Sequence, residues 1–157
     1  MTDIVKITDY MKEELIELQL KGKTKESILD ELAELLTKSP NIATDKENVK
    51  KALFEREELG STGIGKGIAI PHAKTENAEH LTIAFGISKE KIEYNAMDEE
   101  PVRIFFTFAS PLKENRIYLK VLARISRLIR SESFRNKLLN CKTPSEVIKC
   151  ISEEEDI

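Results

Sequence analysis

Ile16, Leu18 and Leu20 alternate with Glu17, Gln19 and Lys21, and this two-residue period predicts a half-buried strand early in the chain. Gly22 breaks it. Thr24 is placed to cap a helix in which Ile28, Leu29, Leu32, Leu35 and Leu36 share one face, and Ser39-Pro40 ends that helix. Thr44-Asp45-Lys46-Glu47 has the form of a capping box, so a second helix should begin there, bury Val49, Ala52 and Leu53, and reach about Glu57.

Gly60 to Gly67 hold four glycines in eight residues, which predicts a loop feeding an apolar strand at Ile68-Ala69-Ile70-Pro71. Leu81, Ile83, Phe85 and Ile87 alternate with Thr82, Ala84, Gly86 and Ser88, and Val102 to Phe108 form a second, aromatic-rich strand candidate. Ile92 and Tyr94 are expected in a short edge strand, close enough to Leu81–Ile87 for a hairpin, which favours a mixed sheet. From Asn115 the pattern becomes helical, with Tyr118, Val121, Leu122, Ile125, Leu128 and Ile129 on one stripe of the longest helix. A short helix is expected around Phe134–Leu139, and Thr143-Pro144-Ser145-Glu146 starts a last one with an N-cap, an N1 proline and a capping-box Glu. Ser152–Ile157 should fray, and Glu153-Glu154-Glu155-Asp156 reads as a solvated tail. With no repeat or linker, the expectation is an α/β chain, a mixed sheet flanked by helices, in a single domain over residues 1–157.

The 157 residues fit one domain, and 40% hydrophobic content is enough for a core. Lys and Arg number 25 against 28 Asp and Glu, so a formal charge of -3 and a pI near 5.6 disfavour a nucleic-acid partner. No apolar run approaches a bilayer-spanning length of about 20 residues, and MTDIVKITDYMKEELIELQL lacks a signal peptide's uninterrupted apolar region. A cytoplasmic protein without membrane insertion is expected. Cys141 and Cys150 match neither a redox nor a zinc spacing and read as reduced thiols on C-terminal helices. His80, eight residues from His72 with no cysteine nearby, reads as a solvent-side residue, and no metal site is expected.

The most unusual segment runs from Arg56 to His72, R-E-E-L-G-S-T-G-I-G-K-G-I-A-I-P-H. Gly60, Gly65 and Lys66 match the start of a nucleotide-binding P-loop, but Gly67 stands where a Mg²⁺-holding hydroxyl belongs, and the helix precedes the glycines instead of following them. A plain tight turn would also use glycines. A phosphoryl-binding pocket would use all of the parts: bare backbone N–H groups at Gly63 and Gly65, hydroxyls from Ser61 and Thr62, and cations from Arg56 and Lys66. His72 would then be the nucleophile, since a neutral imidazole accepts phosphoryl groups near neutral pH. A histidine without chemistry remains the alternative on composition alone.

This run closely resembles the active-site signature of the fructose/mannitol-type enzyme IIA domains of the bacterial sugar phosphotransferase system (PTS), including their nitrogen-regulatory relatives. Ile16–Leu32, Met97–Phe106 and Tyr118–Ile125 resemble family segments in family order, so essentially the whole chain is covered. The resemblance implies the enzyme IIA fold and a phosphocarrier in which His72 accepts a phosphoryl group, ultimately from phosphoenolpyruvate, from phosphorylated HPr and passes it to an enzyme IIB. Arg56 matches the arginine that faces the phosphohistidine, and no cofactor is implied. Where the family commonly has a second histidine, this chain has Tyr118, which offers a hydrogen bond to phosphate but no cation, or is simply a core aromatic. Ala73 stands where a glycine often follows the histidine. An apolar surface with a polar rim is expected around His72, and the IIB and membrane-spanning parts are expected on separate chains. The alternative is a regulatory protein in which phosphorylation of His72 alters binding to a target.

Overall fold

The computed structural model describes residues 5–156. Readings that touch residues 1–4, or Ile157 in the acidic tail, lie outside the described residues. Among the described residues, six strands form one mixed sheet in the order β1-β5-β6-β3-β2, with β4 also paired to β6. They are β1 (Ile16–Glu17), β2 (Gly63–Gly65), β3 (Ile68–Ala69), β4 (His72–Lys74), β5 (Thr82–Ile92) and β6 (Val102–Ser110). The helices are α1 (Lys25–Leu36), α2 (Lys46–Glu58), α3 (Asn115–Leu128), α4 (Glu132–Leu139) and α5 (Pro144–Glu155).

The layers follow from strand parity. Ile83, Phe85, Ile87, Ile104, Phe106 and Phe108 join a core with Val121, Ile125, Phe134, Val147 and Ile151 of α3–α5. The opposite side chains, among them Ala84 and Ala109, meet Leu36, Val49 and Leu53 of α1 and α2. Helices therefore cover both faces, and residues 82–88 are all buried. Small residues at alternate positions of β5 let α1 approach: a Cβ on Gly86 would lie 2.7 Å from Leu20 and 3.2 Å from Leu32.

Three local expectations need correction. Thr44 does not cap α2: Asp45 does, accepting from the Asn48 N–H at 3.0 Å. Ile92 and Tyr94 form no separate edge strand, because β5 continues through Ile92 and its hairpin partner is β6. The early strand is only two residues long and runs parallel to β5.

The acidic C-terminus is likewise not a solvated tail. α5 persists through Glu155, whose carboxylate is buried and accepts from the Ile7 N–H (2.7 Å), the Thr8 N–H (3.2 Å), the Thr8 hydroxyl (3.3 Å) and Arg124 Nε (2.9 Å). It ties the N-terminal turn to α3. Cys150 lies on α5, whereas Cys141 follows the end of α4, and both are free thiols. Among the described residues no helix is long and apolar enough to cross a membrane.

Candidate functional site

Residues 68–74 run alongside β6 in parallel, interrupted at Ile70-Pro71, and this places His72 opposite Phe108 and Lys74 opposite Ser110. The carbonyl of Pro71 accepts from the Phe108 N–H at 2.8 Å and fixes that register. Paired residues share a face of the sheet, so His72, Phe108 and Ser110 all point toward α3. There the ring of Tyr118 stacks on the imidazole, with centroids 3.9 Å apart and planes 25° apart. Phe108 meets both rings edge-on, at 6.2 and 5.2 Å.

His72 Nε2 lies 2.8 Å from Ser110 Oγ. The imidazole is only 2% exposed. Burial lowers its pKa from 6.5 to about 4, assisted by the positive charges of Lys74 and Arg56. It is therefore a neutral nitrogen base at pH 7, with Nε2 held by a hydroxyl that can serve either tautomer as donor or acceptor. Burial also raises the Tyr118 pKa above the usual phenol value, against the opposing charge of Arg56, so Tyr118 stays a protonated donor.

Arg56 sits in the last turn of α2 and anchors one guanidinium nitrogen, Nη1, on the Gly60 carbonyl at 2.9 Å. That bond occupies one of its five donors and fixes the plane of the fork. Beside it, Glu57 holds the glycine loop. Its carboxylate accepts from the Thr62 N–H (3.2 Å), the Thr62 hydroxyl, Tyr94 Oη (3.0 Å) and Lys25 Nζ (2.8 Å). Lys25 in turn lies over the Tyr94 ring, 4.4 Å from its centroid.

The loop candidates are thus employed locally. Both donors of Thr62 go to Glu57. Ser61 Oγ accepts from the Gly63 N–H at 3.1 Å and reaches the Tyr94 carbonyl at 3.4 Å. A Cβ on Gly63 would lie 2.6 Å from that of Ala96, so this glycine exists for close packing. Gly65 has φ +98° and faces the Asp98 carboxylate, and the Lys66-Gly67 turn has positive φ at both residues, as a tight two-residue hairpin requires. Lys66 is turned away: its N–H binds Asp98, and its side chain lines a separate groove instead of joining the charges that act on His72. The structure therefore unites His72 and Tyr118, brings the charge of Arg56 to them, and gives Thr62, Gly63, Gly65 and Lys66 other work. α2 leads into the loop and β2 follows it, the reverse of a P-loop.

Ser110, Glu57 and Tyr94 escaped the sequence reading. Ser110 ends a strand with no local mark of function, and only parallel pairing places it beside the histidine. Glu57 lies inside the signature itself, next to Arg56, and an acidic residue there was the available signal. His80 is exposed, and its Nδ1 lies 2.8 Å from Glu114.

The sequence profile described as "Phosphoenolpyruvate-dependent sugar phosphotransferase system, EIIA 2" matches residues 9–154. The chain belongs to this family. It is 36% identical over 96% of its length to the "PTS system fructose-specific EIIABC component" of Bacillus subtilis, of which it spans 24%. It is 35% identical to the "PTS system fructose-specific EIIA component" of Haloferax volcanii, over 98% of this chain and 97% of that one. The crystal structure of nitrogen regulatory protein IIA-Ntr from Neisseria meningitidis superposes with a TM-score of 0.86 at 28% identity, covering 92% of this chain and 98% of that one. As an EIIA protein, this chain has the mixed sheet flanked by helices expected from its pattern.

Proposed function

We propose that this EIIA protein is a histidine phosphocarrier of fructose-type sugar uptake, taking a phosphoryl group from phosphorylated HPr onto His72 and passing it to an enzyme IIB. The observation that carries this reading is a buried, neutral imidazole held by Ser110, stacked by Tyr118 and facing the field of Arg56. In the first step a His72 ring nitrogen forms a bond to phosphorus while the donor's N–P bond breaks, and the donor imidazole leaves with the electron pair and takes up a proton. Arg56 stabilises the charge spread over the phosphoryl oxygens, and the Tyr118 hydroxyl donates to one of them. A weakly basic imidazole is also a good leaving group for the second transfer.

Exposed Leu59, Leu112 and Leu119 lie close in sequence to Arg56, Ser110 and Tyr118 and supply the apolar contact surface for successive partners. The names of the two fructose-specific relatives support the sugar class, and the A, B and C parts in the Bacillus name support an EIIB partner. The test is intact mass after incubation with phosphoenolpyruvate, enzyme I and HPr. The expected result is one acid-labile phosphoryl group on the wild type and none on His72→Ala; an unlabelled wild type refutes the assignment. The fold match to a nitrogen regulatory protein raises a second reading, phosphorylation-dependent target binding, which stands behind the fructose-type role. A pull-down in which only one phosphorylation state retains a non-PTS protein would establish it.

A further inference from the structure

Two adjoining cavities lie where β3 and β6 begin, on the side covered by α4. The first, about 360 Å³, is lined by four basic side chains, Lys66, Lys91, Arg103 and Arg135, against two acidic ones, Glu100 and Glu132. The second, about 560 Å³, shares Arg103 and Leu139 with the first and adds Lys21, Lys89 and Lys142 with no acid. Both volumes fall in the ordinary range of small-molecule sites, about 300–1,000 Å³. The floor is apolar, formed by Leu18, Ile87, Ile104 and Leu139.

This concentration of positive charge stands out on a chain whose net charge is -3. Among the described residues, none of these seven cations makes an ion pair within 4.0 Å. Crowding like charges without partners raises the free energy of the empty groove and is relieved by an anion. The two guanidinium groups are also fixed in advance. Arg103 donates from Nε to the Ser88 carbonyl at 3.0 Å, and Arg135 donates from Nη1 to the Ile129 carbonyl, leaving their remaining donors for a ligand.

The groove is distinct from the histidine site. The Gly67 carbonyl binds the N–H groups of Arg103 and Ile104, whereas His72 pairs with Phe108. Four strand positions separate them, roughly 13 Å along β6. Occupancy of the groove is thus compatible with an open His72.

We propose that this groove binds a small phosphorylated metabolite carrying at least two phosphoryl groups on a ring-bearing scaffold, the chemistry of a nucleoside diphosphate. The phosphoryl groups bridge the cations of the two cavities around the shared Arg103, where arginine forks match their oxygens. The ring lies on the apolar floor of Leu18, Ile87, Ile104 and Leu139. The Gly60–Gly65 backbone takes no part. A flat rim would suit an acidic protein surface, but two concave chambers joined at Arg103 suit a compact ligand.

The test is a titration of the isotopically labelled full chain with ADP and with inorganic pyrophosphate, read by amide chemical shifts. Saturable shifts confined to residues 18–21, 66–67, 87–91, 100–104 and 132–142 are expected, with ADP binding more tightly than pyrophosphate and both weakened by added salt. Lys91→Gln/Arg135→Gln should weaken ADP at least 10-fold while His72 still loads from HPr. The exposed pair Lys89→Gln/Lys91→Gln, which leaves both arginines in place, should weaken it by a smaller factor in the same direction. The proposal is overturned by no shift at 10 mM of either compound, by shifts scattered over unrelated lysines, or by binding that both double variants leave intact. Groove shifts with a polyglutamate peptide or anionic vesicles, when neither phosphate compound produces them, also overturn it.

Discussion

Protonation of His72 offers a direct measure of how the fold conditions the site. Its pKa falls from 6.5 in the unfolded chain to about 4 in the native state because the imidazole is buried under Tyr118, with Lys74 and Arg56 adding to the effect. Between those two values the unfolded state binds a proton that the native state refuses. Stability therefore rises with pH through this window, is fully present above 6.5, and is lost as pH falls through about 4. At about 1.4 kcal/mol per unit the full effect is about 3 kcal/mol, and about 2–3 kcal/mol of it has gone by a pH of roughly 4.5. Two assays follow. An NMR titration of the imidazole should give a midpoint well below 5 in the native, unphosphorylated protein. Urea unfolding of wild type and His72→Asn at neutral pH and at roughly 4.5 should show the wild type losing about 2–3 kcal/mol more, since carboxylate contributions are common to both and cancel. A midpoint above 6, or equal losses in the two proteins, would refute the argument that burial sets the protonation state.

Arg56→Ala should slow loading of His72 about 10²–10³-fold, the scale of losing one preorganised donor, with little change in Tm; unchanged loading by phosphorylated HPr would remove the arginine from the mechanism. Tyr118→Phe should keep the stack and the low His72 pKa, whereas Tyr118→Ala should raise that pKa toward 6.5 and cost about 3–5 kcal/mol, both read from NMR and urea titrations. Among the described residues the buried Thr107 hydroxyl has no hydrogen-bond partner, so Thr107→Val should raise stability by about 1 kcal/mol, and a comparable loss in urea unfolding would show the hydroxyl is satisfied. Glu155→Ala should destabilise by about 3–5 kcal/mol because it strips Arg124, Ile7 and Thr8 of their acceptor, whereas an effect below about 0.5 kcal/mol, as for an exposed tail, would contradict the packing seen here.

The local chemistry of the chain determined much of this protein. Thr24, Ser131 and Thr143 each cap a helix through a hydroxyl that accepts an N–H three residues on, and those signals act within one turn whatever surrounds them. The alternation at the start of β5 and the aromatic run of β6 were equally readable, because both act over a few neighbouring residues. So was the Arg56–His72 signature, whose order of residue types is dense enough to mark the family. What the sequence could not supply was anything set by contacts between distant segments. The parallel alignment of His72 with Phe108, which brings Ser110 to the imidazole, depends on a crossover with no local signal. The role of Thr62 was decided by Glu57, whose carboxylate takes up both donors that the loop pattern reserved for a phosphoryl group. Glu155 belonged to a run of four acids with every local mark of a solvated tail, and it became a buried clasp because residues 7 and 8 bring two N–H groups to it from the other end of the chain. Propensity and periodicity act over a few residues, whereas burial and partner choice are settled by the packed layers. Packing therefore converts the readable signature into a neutral, covered histidine.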